Sequence, residues 1–494
     1  MSTPPPSDPK RTPVLVGVGE IVSRERDPRR AREALDLMQA ALEAAAADAG
    51  APGLLREAGA IAAPRGFWRY GDPCRALALR FGCPKATTIV AEIGVLQTTL
   101  VAEAAERIAS GEAEVVLVVG AEAKFRALRA QIEGVAVDDT PCEGEADRVL
   151  RPHADILHPL ELALDIAMPV KQYAVMENAL RRALGQDVAA HRAELARLYA
   201  AFSAVAARNP FAWRREPVAA EAIERASDAN PMLAFPYTKL HTSQWNVDQA
   251  AGLVLCSLAA AERHGVPRER CVFPLAVAES NHMVPLAERA EPERCHGVAI
   301  AGERLAEIAG VAARDAEHLE LYSCFPSAVR MQARELGIAL DRPLTVTGGM
   351  AFGGGPLNNF VLQAIARMAH VLRADPGSRG LVTAVSGMLT KQGLSLWSTA
   401  PGERPFAAAD ATDAVARALP TVAVDDAFAG PARVHGYTVL YEGGAPARVV
   451  ALCDADGGRR ALAACDDAAL LARAERDELG GLAVRVRERC FEPA

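Results

Sequence analysis

The 494 residues contain no Cys-x-x-Cys pair, and the ten cysteines, at 74, 83, 142, 256, 271, 295, 324, 453, 465 and 490, are scattered along the chain. That distribution argues against a disulfide scaffold or a zinc ribbon and reads as reduced thiols in a reducing compartment. His-Glu-x-x-His is missing as well. His153 and His158 stand five apart, one step off the spacing that puts two ligands on one helical face, so no metal is expected. No uncharged apolar stretch reaches 18 residues; the best, 115–120 and 250–261, are core-length pieces, and no membrane span is expected. Runs of Lys and Arg are lacking and the net charge is −8, which makes duplex nucleic acid a poor partner. Residues 1–13 are Pro-rich and polar without the apolar core of a secretory signal. A cytoplasmic protein with a disordered tail over residues 1–12 is the expectation.

What the chain does have is a rhythm. Short Val/Ile-rich runs alternate with longer Ala/Leu/Glu/Arg stretches of helical period, the pattern of an α/β protein with buried strands. The runs 13–20, 87–93 and 114–120 alternate with helical stretches near 31–47 and 96–110. The second of these is closed by Ser110-Gly111, where a glycine C-cap feeds the next strand. Residues 124 to about 245 break the rhythm with an acidic loop and helical segments. It resumes at 248–257 and 272–277, then through helices near 302–313, 326–336 and 357–373 and strands 318–325 and 380–387. The second half repeats the order of the first, which predicts two similar α/β units packed together. Beyond about 405, short strands with Gly turns at 443–444 and 457–458 predict a small β-rich, barrel-like domain.

Three segments hold unusual chemistry. Thr347-Gly-Gly-Met-Ala-Phe-Gly-Gly-Gly-Pro-Leu-Asn-Asn359 leads straight into a helix, and its glycines permit close backbone approach to a ligand beside free N–H groups. No Gly-Lys-Ser/Thr follows, so it is not a P-loop. A tight turn between packed elements is the plain alternative. His318-Leu-Glu-Leu-Tyr-Ser-Cys-Phe-Pro-Ser327 is a strand ending in small polar groups, where α/β proteins place ligands. Cys324 there is either a nucleophile or, as free cysteines more often are, a small packing residue. Ser386-Gly-Met-Leu-Thr-Lys-Gln-Gly393 is a third strand end followed by a reversal.

Together these segments resemble the thiolase superfamily over roughly residues 13–400, and sterol-carrier-protein-type thiolases and type-1 thiolase-like proteins in detail. Residues 320–326 resemble the Asn-Glu-Ala-Phe or His-Asp-Cys-Phe motif, 347–359 the Gly-His-Pro loop, 386–393 the Cys-x-Gly turn, 96–123 the helix and strand after the nucleophile, and 246–252 the end of the loop domain. The resemblance implies a duplicated fold of two βαβαβαββ halves in five layers: 13–270, with a helical loop domain at about 124–245, and 271–404, followed by the appended domain 405–494. It also implies binding of CoA or acyl-CoA, acyltransferase activity of the acetyl-CoA acetyltransferase kind within lipid metabolism, no covalently bound cofactor, and a possible homodimer through 87–93 or a partner acyl-CoA enzyme.

Transferred residue by residue, the family's nucleophilic Cys falls at Gly94 and its activating His at Gly355, neither of which has a side chain. The Asn or His of the second motif falls at Tyr322, and the acid/base Cys at or beside Ser386. Candidate catalytic groups are therefore Tyr322, Cys324 and Ser386, two of them hydroxyl donors suited to a thioester oxyanion. Ser323, Thr390, Lys391 and Gln392 complete the polar set; Lys391 is suited to a phosphate or carboxylate. CoA is expected against Ser243, Gln244, Gly353, Gly354 and Pro356. Without a thiolate and its base, conventional thiolase turnover is not expected. A non-catalytic acyl-CoA binder or a thioester hydrolase are the alternatives.

Overall fold

The computed structural model describes residues 8–494. Part of the expected tail, 1–7, lies outside the described residues. Residues 8–12 form a turn, and Arg11 donates to the Ala109 carbonyl at 3.2 Å.

Strand β1 (Pro13–Ser23) shows why these runs are central. Val14 and Val16 point to one face and Leu15 and Val18 to the other, and all four are buried. The first sheet runs β1–β8–β4–β2–β3–β5, with β2 at Ala60–Pro64, β3 at Thr87–Ala91, β4 at Val115–Ala123, β5 at Arg148–Leu150 and β8 at Asp248–Ser257. The second runs β10–β11–β12–β9–β13, with β9 at Phe273–Ser280, β10 at His318–Glu320, β11 at Arg379–Ser386, β12 at Lys391–Ser398 and β13 at Ala407–Asp410. Starting at β1 or at β9, the next three pairings are antiparallel, antiparallel and parallel in both sheets. The duplication expected from element order is present in the hydrogen-bond ladders.

Helices Gln97–Ser110 and Phe360–Ala374 pack against each other between the sheets. Helix Ala34–Asp48 covers the outside of the first sheet so closely that a Cβ at Gly17 would lie 2.0 Å from the Ala45 carbonyl oxygen. Helix His296–Ala309 covers the outside of the second. Five layers result, with the apolar core running through both sheets and the central helices.

The insertion after β4 is mainly helical, dominated by helices Pro169–Ala183 and Val188–Arg208. It also contains β5 and two short strands, β6 (Met232–Ala234) and β7 (Tyr237–Thr238). Strands of two or three residues carry no readable alternation, and they were not expected there. The strand β13 lies beyond residue 404, yet it pairs with β9 and belongs to the second sheet. After β14 (Ala423–Val424) come β15 (Gly430–Glu442), β16 (Ala445–Ala455), β17 (Arg459–Cys465), β18 (Ala483–Arg487) and β19 (Cys490–Pro493). These five close a barrel in the order β15–β16–β17–β19–β18–β15, with a helix, Ala468–Ala474, between the third and fourth strands. That connectivity is of the OB type. The barrel seats on the insertion: Asn178 donates to the Tyr437 carbonyl at 2.8 Å, Arg181 bonds Tyr437 and Glu478, and Leu440 pairs with Ala234.

Candidate active site

Gly94 lies between β3 and the first central helix, with φ of 103°, a conformation that residues with side chains rarely adopt. Its carbonyl accepts from Lys391 Nζ at 2.9 Å and from Ser386 Oγ at 3.3 Å. Ser386 and Lys391 face each other as the last and first residues of β11 and β12. Close by, Gln97 donates to Asn358 at 3.1 Å and Asn358 to the Arg65 carbonyl at 2.8 Å. Residues from the ends of both halves therefore meet at Gly94, as the motif order implies.

The second half builds the other wall. Glu320, the last residue of β10, is fully buried and accepts from the hydroxyls of Thr345 and Thr347 and from the N–H groups of Val346 and Thr347, at 2.7–3.0 Å. That carboxyl anchors the start of the Gly-rich turn, and burial raises its pKa to about 7. Ser323 Oγ accepts from Met350 N–H at 3.0 Å within the same turn. The amide of Gln249 donates to the Gly353 carbonyl at 2.9 Å; Gly354, at φ 106°, leaves room for that amide, since a Cβ would lie 2.0 Å from it.

The insertion closes the third side. Ser243 Oγ donates to the Cys324 carbonyl at 3.1 Å. Gln244 accepts from Gly355 N–H and donates to the Met350 carbonyl, both at 2.9 Å. Ser243, Gln244, Gly355 and Cys324 are thus held in one hydrogen-bonded assembly, with Gly353 just before it and Pro356 directly after Gly355.

The titrating groups divide by environment. Burial pushes the Cys324 thiol up to about 12, the opposite direction from an activated nucleophile. Burial also raises the Tyr322 hydroxyl, with the neighbouring Cys324 adding to it. Tyr322 stacks edge-to-face on Phe360 at 5.7 Å, and its N–H is held by Thr383 at 2.7 Å. It remains a proton donor at neutral pH. Lys391 is only 2% exposed, and burial lowers its amine.

Three features lay outside the motif reading. Glu320 lies in the strand-end motif, and an acidic residue between Leu319 and Leu321 is the signal that marks it. Asn358 sits at the end of the Gly-rich segment, where the sequence alone gives it no role. At the rim, Lys124 Nζ lies 3.8 Å from the Phe67 ring centre and 3.9 Å from that of Trp245, residues far apart in sequence whose meeting no local pattern announces.

Two α/β halves with a shared pairing order and an inserted domain define the thiolase fold. Comparison with known proteins agrees. A structure of a monomeric SCP2-thiolase like protein type 1 from Mycobacterium smegmatis superposes with a TM-score of 0.83 at 28% identity, covering 98% of this chain and 99% of that one. The Ltp2-ChsH2(DUF35) aldolase matches at a TM-score of 0.60 and 20% identity over 79% of this chain and 98% of that chain, a likeness of fold alone. The beta-ketoadipyl-CoA thiolase of Pseudomonas putida is 32% identical over 151 residues, which are 30% of this chain and 35% of that relative's length. No family model matches the chain. The chain has the thiolase fold and is similar over its whole length to the SCP2-thiolase like protein.

The homodimer expectation meets a structural obstacle. The outer edge of β3 is occupied by the chain's own β5, with Ile89, Val90 and Ala91 paired to Arg148, Val149 and Leu150. Glu92, a charge that would be costly in a packed interface, is bonded to Arg65 at 2.9 Å. No helix among the described residues is long and apolar enough to cross a membrane.

Proposed function

We propose that this protein binds CoA or acyl-CoA thioesters between the Gly-rich turn and the Ser243–Gln244 segment, and that it does not run the conventional thiolase reaction. The observation that carries this reading is the contrast between a kept scaffold and an emptied nucleophile pair. The segments that match the superfamily's motifs are held together by hydrogen bonds at the carbonyls of Met350 and Cys324 and the N–H of Gly355, while positions 94 and 355 have no side chain. Acyl transfer through a thiol needs a thiolate and a base, and neither is supplied at those positions.

Tyr322 and Ser386 are proton donors at the ends of adjacent strands, which favours weak polarisation of a thioester carbonyl over covalent transfer. Slow thioester hydrolysis is accordingly the second reading. Calorimetry with CoA and acetyl-CoA tests the first: a dissociation constant tighter than about 1 mM is expected, and no heat at that concentration refutes it. Release of free thiol from acetyl-CoA, lost in Tyr322→Phe, tests the second.

A further inference from the structure

The reversal between β11 and β12 is built at a conformational cost. Gly387, Met388 and Leu389 have φ of 58°, 50° and 71°, three successive residues in the left-handed region, two of them with bulky side chains. Such strain persists only where the surroundings impose it, and it gathers at functional sites. Here the clamps are explicit. Thr390 Oγ and Arg289 donate to the Gly387 carbonyl at 2.7 and 3.2 Å, and Gln392 and Cys295 donate to the Leu389 carbonyl at 2.8 and 3.2 Å. The reversal places Lys391 opposite Ser386 and carries its amine across to the Gly94 carbonyl in the other half.

Charge singles out the same spot. The buried Arg107, Arg126, Arg181, Arg330 and Arg460 each hold a carboxylate. Among the described residues two buried cations have no carboxylate within 4.0 Å, Arg289 and Lys391, and both converge on this turn. A buried ammonium facing one carbonyl and no counter-ion is poorly compensated, which favours the neutral amine and its free lone pair. The amine stands beside Gly94, the position at which the superfamily carries its acyl group on sulfur.

We propose that Lys391 is a covalent residue of this site, forming a Schiff base with the ketone of a 3-oxoacyl-CoA. The Nζ lone pair forms the bond to the ketone carbon, the ketone oxygen leaves as water with the two amine protons, and a C=N bond joins ligand to lysine. The proposal rests on the CoA-binding reading and adds to it a covalent role for Lys391, which plain acyl-CoA, lacking the ketone, cannot engage.

The full-length protein is incubated with acetoacetyl-CoA and cyanoborohydride, digested and mapped by mass spectrometry, with calorimetry of acetoacetyl-CoA in parallel. A reduction-dependent adduct on Lys391 is expected, absent with acetyl-CoA and absent in Lys391→Arg and Lys391→Met. The other lysines, Lys10, Lys85, Lys124, Lys171 and Lys239, serve as internal controls within the same digest. Binding heat without an adduct at Lys391, or adducts confined to the other lysines, overturns the proposal while leaving the CoA reading standing. Absence of heat overturns both. Mapping on the unmodified protein keeps the answer independent of whether either variant folds.

Discussion

Refilling the emptied nucleophile pair puts the reading of the site at risk in a measurable way. In Gly94→Cys the new side chain must sit at φ near 103°, a conformation that costs a residue with a Cβ about 1–3 kcal/mol. Its Cβ would lie 3.3 Å from the Pro152 ring, a tight contact that the neighbouring loop must relieve. Gly355→His meets no such backbone strain, but its Cβ would lie 3.1 Å from Ser243 Cβ and 3.4 Å from Met350 Cε. The atoms nearest the two added Cβ positions belong to Pro152 in one case and to Ser243, Met350 and Gln244 in the other, with none in common. A thiol near its ordinary pKa of ~8.5 is only a few per cent thiolate at neutral pH. The expectation is that Gly94→Cys loses about 1–3 kcal/mol in denaturant unfolding and becomes alkylated by iodoacetamide at position 94. Neither the single variant nor Gly94→Cys/Gly355→His is expected to reach acetoacetyl-CoA thiolysis within a hundredfold of an active thiolase. Thiolysis at full thiolase rate by the double variant would show that the two slots do converge. Robust thiolysis by the unmodified protein, with an acyl-enzyme mapped elsewhere, would refute the whole assignment.

Four further outcomes are expected. Glu320→Ala strips acceptors from two backbone N–H groups and two hydroxyls in a fully buried site, and should cost on the order of 3 kcal/mol and open the Gly-rich turn to limited proteolysis; an unchanged unfolding midpoint counts against the anchor. Glu20 is buried in β1 and burial raises its pKa from 4.5 to about 8, so the folded state binds the extra proton between those values and stability falls as pH rises through that window. Glu20→Gln should therefore gain stability relative to the unmodified chain at pH 9, by up to about 4 kcal/mol, with little difference at pH 4.5; parallel curves in urea titrations would refute it. Ser243→Trp, which fills the space facing Gly355, should weaken CoA at least tenfold in calorimetry if the ligand passes there, and an unchanged affinity would move the site. With β5 on the edge of β3, light scattering should give a monomer mass at micromolar concentration, and a dimer would mean another surface is used.

How much of this was legible in the sequence follows from the range over which each signal acts. Strands 115–123 and 248–257 are buried on both faces and stand out as apolar runs, and helix 326–336 announces itself with Pro326 at its start and Gly337 beyond its end. The motif order placed Gly94 and Ser386 in one site, and their contact at 3.3 Å is long-range information that single segments do not hold. Local reading failed where an element borrows its identity from a distant partner. Residues 148–150 form a strand because β3 offers an open edge, and 407–410 because β9 does, although neither stretch is long enough to show a period. The same limit hid the significance of Lys391. Its sequence neighbours describe an ordinary polar turn; the weight comes from three left-handed residues, from clamps at Cys295 and Arg289, and from a carbonyl nearly 300 positions away. On the proposed reading, the position without a side chain, Gly94, and the amine beside it come from different halves, so no single segment holds both. In a duplicated fold whose site lies between the halves, chemistry lost from one half is to be sought on the facing turn of the other.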